Sequence, residues 1–513
     1  MSFVSFLEKL NLFQILIISV GILSLKVLIS LILRNIRQSK PIKNLHGSAR
    51  FAKFDEIQNT GLINNDKGVY IGAIEHKNKL YYLRHDGAEH CLALAPTRSG
   101  KGICLVVPTL LTWQNSAIIY DIKRELWHLT ANYRKKIGTC YLFDPASSES
   151  NFFNPLNEVR IHSEKQVADA QNIAEMLVDG QGKGLDNHWD KTSYELLTGT
   201  ILYLLHQNKN AKLSDILTFF ASQKTNHEVM DKMAKFECED KIAQGEIQNV
   251  GKSMFAKPEK ELGSIVSSAT ACLSIFRDPM IQNITSYSEF SINDIVNSQK
   301  PVSLYIATDP NNMDRLRPLI RLLINQILRK LTESMKFENN QATSPHTHKL
   351  LLMLDEFTSL GKLEILQKSL AFMASYGIKA YLIAQDISQI HQHYTKFESI
   401  MANCHIQIAF TPNKLETAQY LSNYLGNKTE YKTHISTSGK AGAMLNDNYS
   451  SHIDEIKRPL MTVEEIIAMQ GLTKQGSRVI DTGNMLIFVN AIRPIFGKQA
   501  PYFMNLEMMK RIY

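Results

Sequence analysis

Short apolar runs alternate along the chain with longer segments in which apolar residues recur every three or four positions. The short runs are HCLALA (90–95), SAIIYD (116–121), TCYLFD (139–144), VSLYIA (302–307), KLLLMLD (349–355), KAYLIAQ (379–385) and IQIAFT (406–411). MLIFVN (485–490) and IRPIFG (492–497) follow late in the chain. Runs this short, rich in branched and aromatic residues, are what strands covered on both faces look like. Helix-period segments between them predict an α/β fold with an open, mostly parallel sheet.

From about residue 160 to 300 the strand pattern stops. VADAQNIAEMLVDG, KTSYELLTGTILYLL, KLSDILTFFA and SIVSSATACLSIF carry helical spacings, such as Leu196, Leu197, Ile201, Leu204 and Leu205. An all-α domain at 161–299 is therefore expected to split one α/β domain into the halves 46–160 and 300–513. Proline marks the joints near Asn154-Pro155 and Lys300-Pro301. The polar stretches 336–348 and 434–452 are expected to be mobile loops.

The N-terminal pattern is different again. Leu12 to Leu33 is predominantly apolar on every face, with Lys26 its one charge, and at about 1.5 Å per residue it reaches across a hydrocarbon core of about 30 Å. Arg34, Arg37, Lys40, Lys43 and Arg50 come next, with no acid before Asp55. This asymmetry predicts a membrane anchor over 1–45, with its helix at about 12–33, a basic juxtamembrane segment, and the remainder of the chain in the cytoplasm.

Charge and cysteine usage refine this outline. The 513 residues hold 57 Lys and Arg against 49 Asp and Glu, a net charge of +8. Residues 1–50 hold seven of the basic residues and one acid, Glu8, and so account for +6 of the +8. The basicity is thus a topology signal and an attraction to anionic headgroups, and by itself it indicates no nucleic-acid surface. Six cysteines are scattered with no CxxC pair. That excludes a disulfide framework or zinc site as the organising element and fits reduced thiols.

The candidate chemistry begins at APTRSGKG, made of Ala95, Pro96, Thr97, Arg98, Ser99, Gly100, Lys101 and Gly102, between the strand HCLAL and the helix-compatible ICLVVPTLL. A loop entering a helix N-terminus offers backbone amides and the positive end of the helix dipole to an anion. Gly100-Lys101 adds a tight turn and an ammonium for the β- and γ-phosphates, the logic of a P-loop. Ala95 stands where a glycine is usual, and Gly102 where a hydroxyl residue is usual.

A second element supports the first. KLLLMLDEF places Asp355 and Glu356 at a strand end, the Walker B arrangement in which one carboxylate holds Mg²⁺, directly or through water, and its neighbour activates water. Gln385, ending the next strand, is placed to sense the γ-phosphate, or else to cap a turn. Asp121, with Lys123 and Glu125, is either a further site group or simply a helix start. No Ser/His/Asp or Cys/His arrangement and no HExxH pattern is found. The inventory is that of an enzyme hydrolysing a nucleoside triphosphate.

HGSARFA (46–52), APTRSGKG, Asp121-x-Lys123-x-Glu125, FDP at Phe143, FNPL (153–156), His188-Trp189, LDEFTSLGKL (354–363), AQD (384–386), RPLMTVEEI (458–466) and RPIFGKQAPYF resemble TraG-type type IV coupling proteins. The resemblance implies a RecA-like ATPase anchored in the bacterial inner membrane, with ATP and Mg²⁺ as cofactors and a hexamer as the active form. It also implies a cargo, either a relaxase–DNA complex or effector proteins, delivered to the subunits of a type IV secretion channel. Single- or double-stranded DNA and the anionic inner membrane are the further partners, and the all-α domain is the part that contacts substrate. Lys101, Asp355, Glu356 and Gln385 take the catalytic roles by this resemblance, and an arginine of a neighbouring subunit would complete the site. Arg277, Arg315, Arg317 and Arg321 all qualify. Coupling proteins of this kind have two membrane helices, whereas this sequence supports one. The alternatives are a membrane-tethered DNA translocase of the FtsK type and a non-hydrolysing adaptor that docks substrates.

Overall fold

The computed structural model describes residues 12–37, 44–63, 65–338, 341–438, 448–475 and 478–512. The chain divides into two compact units. One holds the N-terminal residues to Ala49 and Leu425–Thr462, and the other holds Arg50–Tyr424 and the residues from Val463 onward.

The second unit is organised by an eleven-stranded sheet. In chain order its strands are β1 (Val69–His76), β2 (Lys79–His85), β3 (Cys91–Leu94), β4 (Ser116–Ile122), β5 (Thr139–Phe143), β6 (Val302–Thr308), β7 (Leu350–Asp355), β8 (Ile378–Ala384), β9 (Ile406–Ala409), β10 (Asn484–Val489) and β11 (Ile495–Lys498). Their order across the sheet is β2-β1-β11-β10-β9-β3-β8-β7-β4-β6-β5. The seven strands from β9 to β5 run parallel. These are the seven consecutive runs from HCLALA to IQIAFT that the sequence marks as strands. β10, β11, β1 and β2 extend the sheet antiparallel, so it is mixed.

Every residue of β3, β6, β8 and β9 is buried. Each Leu or Ile so covered contributes about 2 kcal/mol. The β1–β2 hairpin was not among the expected strands. Gly72 interrupts its apolar run, and its signal is the Lys77-Asn78 turn, where both residues have positive φ, 49° and 58°. A tight two-residue hairpin of the primed type requires such a turn.

Between β5 and β6 the chain is helical, including Gln166–Val178, His188–Gln207, Leu213–Ala221, Asn226–Ala234, Lys241–Phe255 and Glu259–Cys272. All six cysteines are free, with Cys91, Cys104 and Cys404 buried.

The first unit contains helix α1 (Leu12–Arg37) and a long antiparallel hairpin, Asn427–Ser438 with Asn448–Pro459. This corrects the loop expected at 434–452: residues 434–438 and 448–452 are paired strand, and 439–447 lie outside the described residues. A two-stranded ladder pairs its inward-facing backbone groups and leaves the outer ones to solvent, so it needs no apolar face, and its polar, β-branched sequence gives no alternating signal. Residues 336–338 and 341–343 likewise pair in a short hairpin within the other expected loop. In α1 the side chains of Leu16, Ile17, Val20, Ile22, Leu23, Leu25, Val27, Leu28 and Ile29 are exposed. Among the described residues no helix is long and apolar enough to cross a membrane. Only part of α1 has described side chains, and the anchor remains a reading of the sequence.

Candidate nucleotide site

The C-terminal ends of β3, β8 and β7 lie side by side, and each feeds one candidate element into the same edge of the sheet. Leu94 of β3 is level with Ala384 of β8, and Ile383 is level with Asp355 of β7. The Ala95 amide donates to the Ala384 carbonyl at 2.9 Å, which carries the pairing into the loop. A parallel sheet converges its loops at this edge, and a chain that leaves β3 must turn there to reach its helix.

The loop 95–102 starts buried at Ala95 and Pro96, exposes Thr97 and Arg98, and half-buries Ser99 to Gly102. Arg98 and Gly100 both have positive φ, 61° and 96°, on either side of Ser99. Left-handed residues alternating with others curl successive amides toward one side, a concavity suited to anions. The φ of Gly100 favours glycine, while a Cβ there would meet Gln499 Oε1 and Leu472 Cδ2 at an ordinary contact distance of 3.4 Å. Gly102–Val106 then makes a wide π-type turn closed by the Val107 amide on the Gly102 carbonyl, before the α-turn Val107–Leu110. Such turns occur often at functional sites.

Lys101 Nζ lies 2.9 Å from Asp355 Oδ1 and 3.0 Å from Glu356 Oε2. The Glu356 contact is a hydrogen bond, whereas the Asp355 contact is a close but poorly aligned ion pair, so that Oδ1 is buried with no well-aligned donor among the described residues. Burial is the largest influence on Lys101 and opposes its charge. The two carboxylates outweigh it and hold its pKa above the usual lysine value. Glu356 is left-handed, φ 78° and ψ 53°, an uncommon conformation for a side chain of this size and one that recurs at functional sites.

A polar relay not anticipated from the sequence ties these elements together. Thr358 Oγ1 is 3.3 Å from Glu356 Oε1 and 3.2 Å from Gln389 Oε1, and its one hydrogen serves one acceptor at a time. Gln389 Oε1 also accepts from the Gln385 amide at 3.1 Å. Gln385 thus follows β8, the strand between the Lys101 loop and the acidic pair, and its backbone is fixed through Gln389. Thr358 lies inside LDEFTSLGKL, where nothing in the spacing marks it as part of a relay, and Gln389 lies in none of the motifs of the sequence.

Asp121 resolves toward the helix-start alternative. Its carboxylate accepts from the amides of Leu126 at 3.1 Å and Trp127 at 2.7 Å, opening the helix Glu125–Ile137. Burial nevertheless pushes its pKa up to about 7 against those two hydrogen bonds, and the charge of Asp355 on the adjoining strand adds to the rise. Lys123 and Glu125 are exposed.

The four arginines separate by environment. Arg321 is 2% exposed and donates through Nη1 to the carbonyls of Leu360 at 2.8 Å and Lys362 at 2.7 Å. Arg315 pairs with Asp278 at 2.6 Å, Arg317 pairs with Asp314, and Arg277 is exposed. Among the described residues no three His, Cys, Asp or Glu cluster as a metal cage. A divalent ion here would rest on one carboxylate, phosphates and water, as Mg²⁺ does.

The mixed α/β sheet, with a glycine–lysine loop facing an acidic pair two strands away, defines a nucleotide-binding protein of the P-loop type. The chain belongs to the family of TraG-type type IV coupling proteins: residues 50–512 match the family described as "Type IV secretory system Conjugative DNA transfer". It is 44% identical over 487 residues to "Conjugal transfer protein TraG" of Escherichia coli, covering 90% of this chain and 77% of that relative. In fold it resembles the plasmid coupling protein TrwB in complex with the ATP analogue ADPNP, with a TM-score of 0.60 and 16% identity over 90% of this chain and 96% of that one. TrwB in complex with ADP and Mg²⁺ is similar at a TM-score of 0.58 and 15% identity, over 88% and 94% of the two chains.

Proposed function

We propose that this coupling protein is an ATP-hydrolysing motor in which Lys101 and the loop amides from Arg98 to Gly102 hold the triphosphate. The observation that carries this reading is the Lys101 ammonium set between Asp355 and Glu356 at the sheet edge. The carboxylates keep the ammonium charged, and in the bound state it exchanges them for the β- and γ-phosphates. Asp355 fits a Mg²⁺ ion, since its buried Oδ1 meets a cation, the Lys101 ammonium, without a well-aligned hydrogen bond, and Gly102 supplies no hydroxyl. Bound there, Mg²⁺ neutralises charge on the phosphates. Glu356, oriented by Thr358, takes a proton from the attacking water. Gln385, whose amide side chain has no hydrogen-bond partner among the described residues, positions that water or senses the γ-phosphate.

Around this site we place the remaining roles. α1, with its exposed apolar side chains, anchors the chain in the bacterial inner membrane, and most of the protein lies in the cytoplasm. Residues 46–160 and 300–513 form the RecA-like motor, and 161–299 receives the relaxase–DNA complex or effector proteins for the secretion channel. Six copies form the working ring, and of the four arginines Arg277, Arg315 and Arg317 are the ones left to act across a subunit boundary. The test is ATP hydrolysis by the full chain, with and without single-stranded DNA, beside a mating assay. Lys101→Ala is expected to abolish both activities, and retention of both by this variant would overturn the assignment.

A further inference from the structure

Gln499 follows β11 and is 1% exposed, yet its carboxamide oxygen has no hydrogen-bond donor among the described residues. Its orientation is fixed from behind. Nε2 donates to the Asn484 carbonyl at 3.3 Å, and the Gln499 amide donates to the Gly483 carbonyl at 2.8 Å. Gly483 has no side chain because a Cβ there would come 2.4 Å from the Leu472 nitrogen and 2.8 Å from Gln499 Nε2. The oxygen is thereby turned toward the nucleotide loop, 3.4 Å from the position of a Gly100 Cβ.

Immediately before Gly100 in the chain, the hydroxyl of Ser99 is also buried without a partner. Two orphaned groups of complementary chemistry, a hydroxyl that donates and a carbonyl that accepts, therefore flank one glycine. Buried polar groups are rarely left unpaired. A lone pair aimed at phosphates would repel them, so Gln499 is not a phosphate ligand. Ser99 lies between two left-handed residues, Arg98 and Gly100, and small rotations there swing its side chain without moving the strands.

We propose that Gln499 is a positioning residue of the nucleotide site: its oxygen accepts the Ser99 hydroxyl when the loop closes on a triphosphate, latching the loop to β10 and β11. The latch rests on the proposed nucleotide-binding role of that loop. It is absent from the structure described above and is made only in the closed state. Removing it therefore weakens nucleotide binding without weakening the unliganded fold.

The experiment uses the full chain, with wild type, Gln499→Met, Ser99→Ala and the double variant. It reads the melting temperature without nucleotide and the dissociation constant for a fluorescent ATP analogue. Gln499→Met is expected to melt near the wild-type temperature, because removal of the orphaned acceptor offsets loss of the Nε2 donor to the Asn484 carbonyl, and to bind the analogue about three- to tenfold more weakly. Ser99→Ala, a conservative loop change, probes the same bond from the other side, and the double variant should be no weaker than the weaker single. Additive losses in the double variant would overturn the latch. So would a Gln499→Met protein that melts lower but binds like wild type. Wild-type protein that takes up no nucleotide would overturn the nucleotide-site reading, and the latch with it.

Discussion

The ammonium of Lys101 stands 2.9 Å from Oδ1 of Asp355, joining the loop after β3 to the end of β7 across the single intervening strand β8. The two residues are 254 positions apart in the chain, and their meeting is a consequence of strand order alone. Glu356 on the other side of the ammonium completes a three-member charge group.

Glu356→Gln separates binding from chemistry. The amide keeps its one acceptor oxygen for Lys101 and presents its NH2 group to the Thr358 hydroxyl, which can accept, but it cannot take a proton. We expect ATP affinity within a few-fold of wild type and a turnover reduced by about 10²–10⁴-fold, the usual range for a lost general base. Equilibrium binding and steady-state hydrolysis on one preparation read the two effects.

Asp121 links stability to pH with a definite sign. Its folded pKa is raised to about 7 from an ordinary 3.8, so the folded state holds its proton more tightly than the unfolded state. Stability contributed by this group therefore falls as pH rises from about 4 to about 7. Asp121→Asn removes that titration. Its melting temperature relative to wild type should climb between pH 5 and pH 8, and a constant difference would refute the shift.

His85 and His90 act in the opposite sense at the other end of the sheet. Burial holds both near pKa 4, helped by the ammonium of Lys379, which donates to the carbonyls of Gly87 at 2.8 Å and Glu89 at 2.7 Å and lies 3.1 Å from His85 Nδ1. Glu89 and Asp86 face His85 and partly counter that effect, whereas His405 adds to the lowering at His90. Each imidazole is neutral in the fold and protonates when unfolded below about 6.5. Stability is complete above that value and is lost as pH falls toward 4. His90 also accepts from the Ala380 amide at 3.1 Å and meets the Leu370 carbonyl at 3.0 Å. His90→Asn should lower the melting temperature at pH 7.5 and flatten its decline on acidification.

Arg321 is predicted to matter for stability and not for catalysis across a subunit boundary. Truncation to Ala strands the carbonyls of Leu360 and Lys362 beside a cavity and should cost about 2–4 kcal/mol. Denaturant titration measures this. A stable Arg321→Ala protein with hydrolysis lost selectively would reverse the conclusion.

Much of the parallel core could be read from the chain because strands buried on both faces must be apolar throughout, and that constraint leaves a mark in one dimension. The β1–β2 hairpin and the long hairpin at 427–459 left a weaker mark, since one rests on a glycine-interrupted run and the other on a ladder of polar residues. The loop 95–102 and the Asp355-Glu356 pair were legible as motifs because phosphate and metal chemistry restricts residue type at fixed spacing.

What the sequence by itself determined is local: which runs must be covered, where charge flanks the N-terminal helix, and which short motifs suit a triphosphate. Tertiary structure decided everything that depends on strand order. It set β8 between β3 and β7, turned Asp121 inward as a helix cap with a raised pKa, and committed Arg321 to backbone carbonyls. It also brought Gln499 to within contact of Gly100, nearly four hundred residues earlier in the chain. The physical reason is that hydrophobic periodicity specifies which face of an element is buried but not which neighbour buries it. The pairing of strands, and the partners of the few polar groups trapped between them, are fixed only when the whole sheet closes.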